Sequence, residues 1–147
     1  MNYFFDTSAL VKYFHNEPGT ESVTEIVLNP DCGVWVLELA KLEFTSALFR
    51  RVRSKELEEE ELHFALSGIE NELSRFNIEF LDHLVIEEAL GLMKRFGQVN
   101  GLKTLDALHI ASFTLLTAEN CRMVSSDDVM NSIVSQMGYI AVNPIKN

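Results

Sequence analysis

Apolar and polar positions alternate along this chain in short and long blocks. Tyr3-Phe4-Phe5 is a brief apolar run of the kind found in a strand buried on both faces. Asp6-Thr7-Ser8 offers helix-capping side chains, and Leu10, Val11 and Phe14 follow at helical spacing. Glu17-Pro18-Gly19 ends that helix, because proline disfavours helix in the residue before it. Thr20 is placed to cap a second helix carrying Val23, Ile26 and Val27, closing near Asn29-Pro30. Gly33–Leu37 predicts a second strand. An amphipathic helix over about 39–53 comes next, apolar at Leu39, Leu42, Ala47 and Leu48. Ser54-Lys55 breaks the pattern, and a further helix over 58–76 is built on Leu62, Ala65, Leu66, Ile69 and Leu73.

The second half repeats the alternation. Residues 77–81 predict a third strand with Asp82 at its end, 84–96 a helix, and 97–101 the loop after it. Thr104 opens a nearly all-apolar helix, 105 to about 118, which must be buried on most sides. A fourth strand, 122–125, ends at Ser126-Asp127-Asp128. A helix through Val129, Ile133, Val134 and Met137 stops at Gly138, and 139–142 makes a short fifth strand. Strands alternating with helices imply an α/β fold: a mainly parallel sheet of about five strands with helices on both faces. No repeat, linker or low-complexity stretch divides residues 1–147, so one domain is expected.

Composition narrows the class. At 47% hydrophobic and 23% charged, the 147 residues suit a folded domain with a sizeable core. No apolar run approaches the roughly 20 residues that cross a bilayer, and no signal peptide is evident. Cys32 and Cys121 are isolated and outside any CxxC pattern, which fits a reduced, cytoplasmic protein. The formal net charge of −10, from 22 acidic and 12 basic side chains, weighs against nucleic acid as a partner. Two features reduce that weight. Glu58–Glu61 is a local acidic run suited to a solvated helix face, and carboxylates committed to a cation lose their repulsion once it binds.

Four acids stand in apolar surroundings or at strand ends. Asp6 follows the first strand and Asp127 the fourth. Glu43 lies between Leu42 and Phe44 and shares a helix face with Leu39 and Ala47. Asp106 lies between Leu105 and Ala107 at the start of the most apolar helix. A carboxylate on a core-facing stripe is costly unless paired or bound to metal. Gathered at one sheet edge, four would be hard oxygen ligands for Mg²⁺ or Mn²⁺, a site suited to phosphodiester hydrolysis. Thr7, Ser8 and Ser125 are hydroxyls that could orient water or phosphate beside them. Taken singly, each acid has a plainer role: Asp6 and Asp127 as helix caps, Glu43 and Asp106 as polar edges of amphipathic helices.

The motifs are recognisable. Phe5-Asp6-Thr7-Ser8-Ala9-Leu10-Val11-Lys12 with Glu17-Pro18-Gly19 resembles the opening of PIN-domain proteins, specifically VapC-type toxin ribonucleases. The stretch from Glu38 to Leu48, Leu105-Asp106-Ala107-Leu108-His109-Ile110-Ala111 and Val124-Ser125-Ser126-Asp127 resemble that family's second, third and fourth acidic motifs. The resemblance implies a three-layer α/β/α PIN fold in which Asp6, Glu43, Asp106 and Asp127 bind a divalent metal. It also implies an RNA substrate, a homodimer and a cognate VapB-type antitoxin that blocks the site. Asp128 is the alternative to Asp127 as fourth ligand; position favours Asp127, and Asp128 suits a helix N-terminus.

Other residues carry less. Arg50, Arg51, Arg53 and Lys55 could track an RNA backbone, but pairing with Glu58–Glu61 or closing the helix electrostatically is the simpler expectation. Lys12 and Lys103, close in sequence to Asp6 and Asp106, are the better candidates for phosphate contacts. His109, one turn after Asp106, reads as a satisfied, partly buried histidine rather than a ligand or general base. Two other functions compete: a phosphatase with Asp6 as nucleophile, and a catalytically silent PIN-like binding module. The phosphatase chemistry usually wants an acid two residues on, where Ser8 stands.

Overall fold

The computed structural model describes residues 1–116 and 120–146. Its strands are β1 (Asn2–Phe5), β2 (Gly33–Leu37), β3 (Asn77–Glu79), β4 (Cys121–Val124) and β5 (Ala141–Val142). Its helices are α1 (Thr7–Phe14), α2 (Thr20–Leu28), α3 (Leu39–Arg53), α4 (Glu59–Glu72), α5 (His83–Asn100), α6 (Thr104–Leu115) and α7 (Asp128–Gln136). The sheet order is β3-β2-β1-β4-β5, and every pairing is parallel. The chain builds outward from β1 to β2 and β3, then crosses to the other side for β4 and β5. That reversal leaves a crevice beyond the carboxyl ends of β1 and β4, where open α/β sheets place their ligands.

The period of a strand sends neighbouring side chains to opposite faces, and β1 shows what this does. Phe5 joins the layer of α1 to α4, packed with Leu10, Phe44 and Leu48, whereas Phe4 joins the layer of α5 to α7, packed with Ile110, Met123 and Ile133. Both rings are fully buried. Two cores on one sheet make the three-layer α/β/α arrangement that the alternating pattern predicts.

Helix α3 positions the site through its two stripes. Ala40, Phe44 and Leu48 form the core stripe. Leu39, Leu42, Glu43, Ser46, Ala47 and Arg50 form the other and line an open groove, so Leu42 is 70% exposed and not a core residue. The face that Glu43 shares with Leu39 and Ala47 is therefore the groove wall.

Several boundaries differ from the sequence expectation. Residues 97–100 belong to α5, not to a loop: Leu92 and Phe96 hold its buried stripe, and the chain turns only at Gly101, whose φ of 70° is the left-handed value a helix stop needs. The strand predicted over 139–142 pairs only at Ala141–Val142, and the one over 77–81 ends at Glu79. Leu81 N–H instead donates to the Glu38 carboxylate at 2.7 Å, which ties the chain to the start of α3. The helix over 58–76 is α4 followed by a 3-10 turn, Leu73–Arg75. The apolar helix ends at Leu115 with Leu116 as its extended C-cap; residues 117 and 118 of the expected extension lie outside the described residues. Gly19 and Lys103, rather than Thr20 and Thr104, occupy the N-cap positions of α2 and α6. Among the described residues no helix is long and apolar enough to cross a membrane.

Candidate active site

Asp6 caps α1 at the end of β1 and is only 4% exposed. Its Oδ1 accepts from the Ala9 N–H at 3.0 Å and the Ser8 hydroxyl at 2.6 Å, and its Oδ2 accepts from Ser125 at 2.6 Å. Ser125 also accepts from the Asp127 N–H at 3.0 Å, and Ser8 from the Ser126 N–H at 3.1 Å. The ends of β1 and β4 are thus latched together through the two serines. Capping and convergence are not alternatives here, because the cap carboxylate is also the centre of the latch.

Asp127 caps α7, its Oδ1 accepting from the Met130 N–H at 2.9 Å. Asp128 points elsewhere: it is exposed and paired with Lys146 at 2.8 Å. Glu43 reaches across from α3. Its Oε1 takes the Thr7 hydroxyl at 2.9 Å and His109 Nε2 at 2.5 Å, while Oε2 has no hydrogen-bond partner among the described residues. His109 is 2% exposed, and its Nδ1 has no partner among the described residues, so Glu43 is its principal anchor. Asp106 opens α6 at the same place without a hydrogen bond or ion pair among the described residues.

Asp106 lies within reach of the charges of the other three acids. The Asp106 carboxyl is pushed up to about 6, first by burial, then by the negative charges of Asp127 and Asp6, with His109 opposing and Glu43 adding to the rise. Burial also pushes Asp6 above the usual carboxylate range; Ser125, Ser8, the charge of His109 and the Ala9 amide offset only part of it. Burial alone would raise Glu43 too, but the hydrogen bond and charge of His109, with the Thr7 hydroxyl, hold it below the ordinary value. His109 favours the charge on Glu43, while Asp106 feels the repulsion of the other three acids.

The donor set fits a hard divalent cation. All four candidates are carboxylates, and their mutual repulsion is of the kind a bound cation relieves. Among the described residues no three His, Cys, Asp or Glu side chains already stand in a ligating arrangement. The free Oε2 of Glu43, with Asp6, Asp106 and Asp127, would supply the oxygens.

Lys12, expected at phosphate, is buried with its ammonium on Glu17 at 2.8 Å. Lys103 is exposed and precedes α6. Arg51 pairs with Glu17 at 2.7 Å rather than with the Glu58–Glu61 run, whose first-turn members Glu59, Glu60 and Glu61 are solvated at the start of α4. Two contacts escaped sequence reasoning. His109 with Glu43 spans 66 positions and has no local signal beyond a polar residue on an apolar helix. Glu17 read as part of a helix stop and of the opening motif, not as a bridge between Lys12 and Arg51.

No curated protein sequence matches the chain significantly. In structure it is similar to VapC20 of Mycobacterium tuberculosis, a sarcin-ricin loop cleaving toxin (TM-score 0.69, 16% identity, covering 97% of this chain and 99% of that one). It is similar to FitAcB of Neisseria gonorrhoeae (TM-score 0.68, 14% identity, 99% of both chains) and to a toxin–antitoxin complex from Klebsiella pneumoniae (0.64, 16%, 97% of both). At these identities the likeness speaks for the fold. The PIN domain family model matches residues 3–134, spanning β1 to α7 and all four acids, and the chain belongs to the PIN domain family.

Proposed function

We propose that this protein is a divalent-metal-dependent endoribonuclease of the VapC type, the toxin of a toxin–antitoxin pair. The observation that carries the reading is the electrostatic coupling of Asp106 to Asp6, Asp127 and Glu43 at one end of the sheet. Mg²⁺ or Mn²⁺ bound there would supply an acidified water and charge stabilisation at the leaving oxygen. Asp6, Asp106, Asp127 and Glu43 would hold the ion. The Ser125 and Ser8 hydroxyls fix the orientation of Asp6, and Thr7 and His109 fix that of Glu43. Because their hydrogen bonds are made within the protein, the carboxylates are oriented before substrate arrives.

The rest of the reading follows the same surface. Leu39, Leu42 and Leu105 give the groove an apolar wall beside Glu43, suited to an antitoxin segment that lies across the acids. Phe80, Leu84 and Ile86 are exposed at and before the start of α5 and suit contact with a second copy in a homodimer. A phosphatase with Asp6 as nucleophile fits less well: Ser8, where its acid would stand, donates to Asp6 and is no carboxyl acid.

The test is cleavage of RNA by the purified protein with Mg²⁺, Mn²⁺ or chelator, comparing Asp127→Asn with Asp128→Asn. We expect metal-dependent cleavage that falls about a hundredfold in the first variant and is unchanged in the second. Cleavage that survives chelation, or is lost equally in both variants, would contradict the assignment.

A further inference from the structure

We propose that the far end of the groove is a second phosphate site, where Arg50 and Arg51 grip the RNA strand beside the bond being cut, with Glu17 as the positioning residue for Arg51. The inference rests on the nuclease reading and extends it to how the strand lies. The groove encloses about 520 Å³ and runs from Thr7, Ser8, Glu43 and Ser126 at the acid end to Lys12, Glu17, Arg50 and Arg51 at the other. Its two ends have opposite charge.

The basic end is built rather than incidental. Glu17 Oε1 binds Lys12 Nζ at 2.8 Å and its Oε2 binds Arg51 Nη1 at 2.7 Å; the three side chains are 16%, 7% and 25% exposed. One anion between two cations leaves the cluster positive, and Arg50, exposed and without an ion pair among the described residues, adds to it. Such a patch runs against the net charge of −10. The loop that carries Glu17 is locked in place. Thr20 Oγ1 accepts from the Glu17 N–H at 3.0 Å and donates to the Lys12 carbonyl at 2.8 Å. Gly19, at a φ of 95°, packs where a Cβ would press on the Lys12 stem and the Pro144 carbonyl, each at 3.1 Å.

A mostly buried ion network gains little stability, since desolvation offsets attraction, so its effect is better sought in geometry. Pinned through Nη1, Arg51 keeps its remaining N–H donors for a planar, bidentate anion. Arg50 lies seven residues beyond Glu43 on α3, about 10 Å along the axis. A phosphate held there lies close to the one cut, in the same strand. Lys12 contributes by fixing Glu17, not by reaching the strand.

The experiment is binding of a labelled single-stranded RNA dodecamer, in chelator so that none is cut, over a range of KCl concentrations. Arg50→Gln and Arg51→Gln should each weaken binding about tenfold and flatten the slope of log K against log salt by about 0.7. Arg51→Lys should recover only part of the loss. Arg53→Gln, the same charge change one turn away and outside the groove, should leave affinity near wild type. The melting shift induced by Mn²⁺ should survive in all of them, which shows folded variants with the acid site intact. Unchanged affinity in Arg50→Gln and Arg51→Gln, or an equal loss in Arg53→Gln, overturns the clamp while wild-type RNA cleavage keeps the nuclease reading. If those two variants lose affinity for a polyglutamate peptide but not for RNA, an acidic protein segment is the occupant and the proposal fails. A wild type that neither binds nor cuts RNA removes both.

Discussion

Asp6→Asn is expected to lower RNA cleavage about a thousandfold, roughly 4 kcal/mol of transition-state stabilisation, without lowering the melting temperature at neutral pH. The two outcomes separate chemistry from folding. Asparagine keeps an oxygen for the Ser8 hydroxyl and the Ala9 amide, so the cap on α1 survives. At the other position an N–H₂ replaces Oδ2, and the Ser125 hydroxyl must turn to accept instead of donate; the sulfur of Met130 stands 3.9 Å away to take its proton. The variant also removes a carboxyl whose ionisation burial disfavours. Folding is spared, and only a ligand to a cation is lost. A variant that unfolds would assign Asp6 a purely structural role; one that cuts normally would remove it from the site.

Asp106→Asn is expected to reduce cleavage by a similar factor while making the metal-free protein more stable, in a pH-dependent way. Asp106 titrates at about 6 in the folded chain, against about 3.9 in an unfolded one. Between those values the native state retains a proton that the unfolded chain has released. Stability from this group is therefore present in full below about pH 4 and is lost as pH rises through 6. The variant lacks that loss. Asp106 is only partly buried, so solvent screening reduces the gain to about 1 kcal/mol, or about 3 °C, at mildly alkaline pH. Thermal unfolding across the acid range checks this: the two curves should converge towards pH 4 and separate above 6. Curves that stay parallel, or a variant less stable at high pH, would mean that Asp106 does not sit among like charges.

Much of this was legible in the chain. Phe4-Phe5 followed by Asp6, and Met123-Val124 followed by Ser125-Ser126-Asp127, show strand ends because an apolar run stops where capping residues start. Their meeting follows from the parallel pairing of β1 with β4; the alternation of elements implies a parallel sheet but not this order of strands. What was not legible depends on contacts between distant segments. Nothing near Glu43 says that His109 will hold its carboxylate, nor anything near Glu17 that it will bridge Lys12 and Arg51. Leu42 misled because an apolar residue at helical spacing is indistinguishable, in sequence, from a core residue, although it lines a groove. Gly97 misled because a glycine late in a helix resembles its stop, while burial of Phe96 carries α5 one turn further.

The central claim is that Asp6, Glu43, Asp106 and Asp127 share one divalent cation, and thermal unfolding of the wild type and of Asp106→Asn in increasing MnCl₂ tests it most directly. Binding at about a hundred times its dissociation constant adds roughly 2.7 kcal/mol, so the wild type should melt at least about 5 °C higher at neutral pH, with much less change in the variant. An equal shift in both proteins, or none in the wild type, would contradict it.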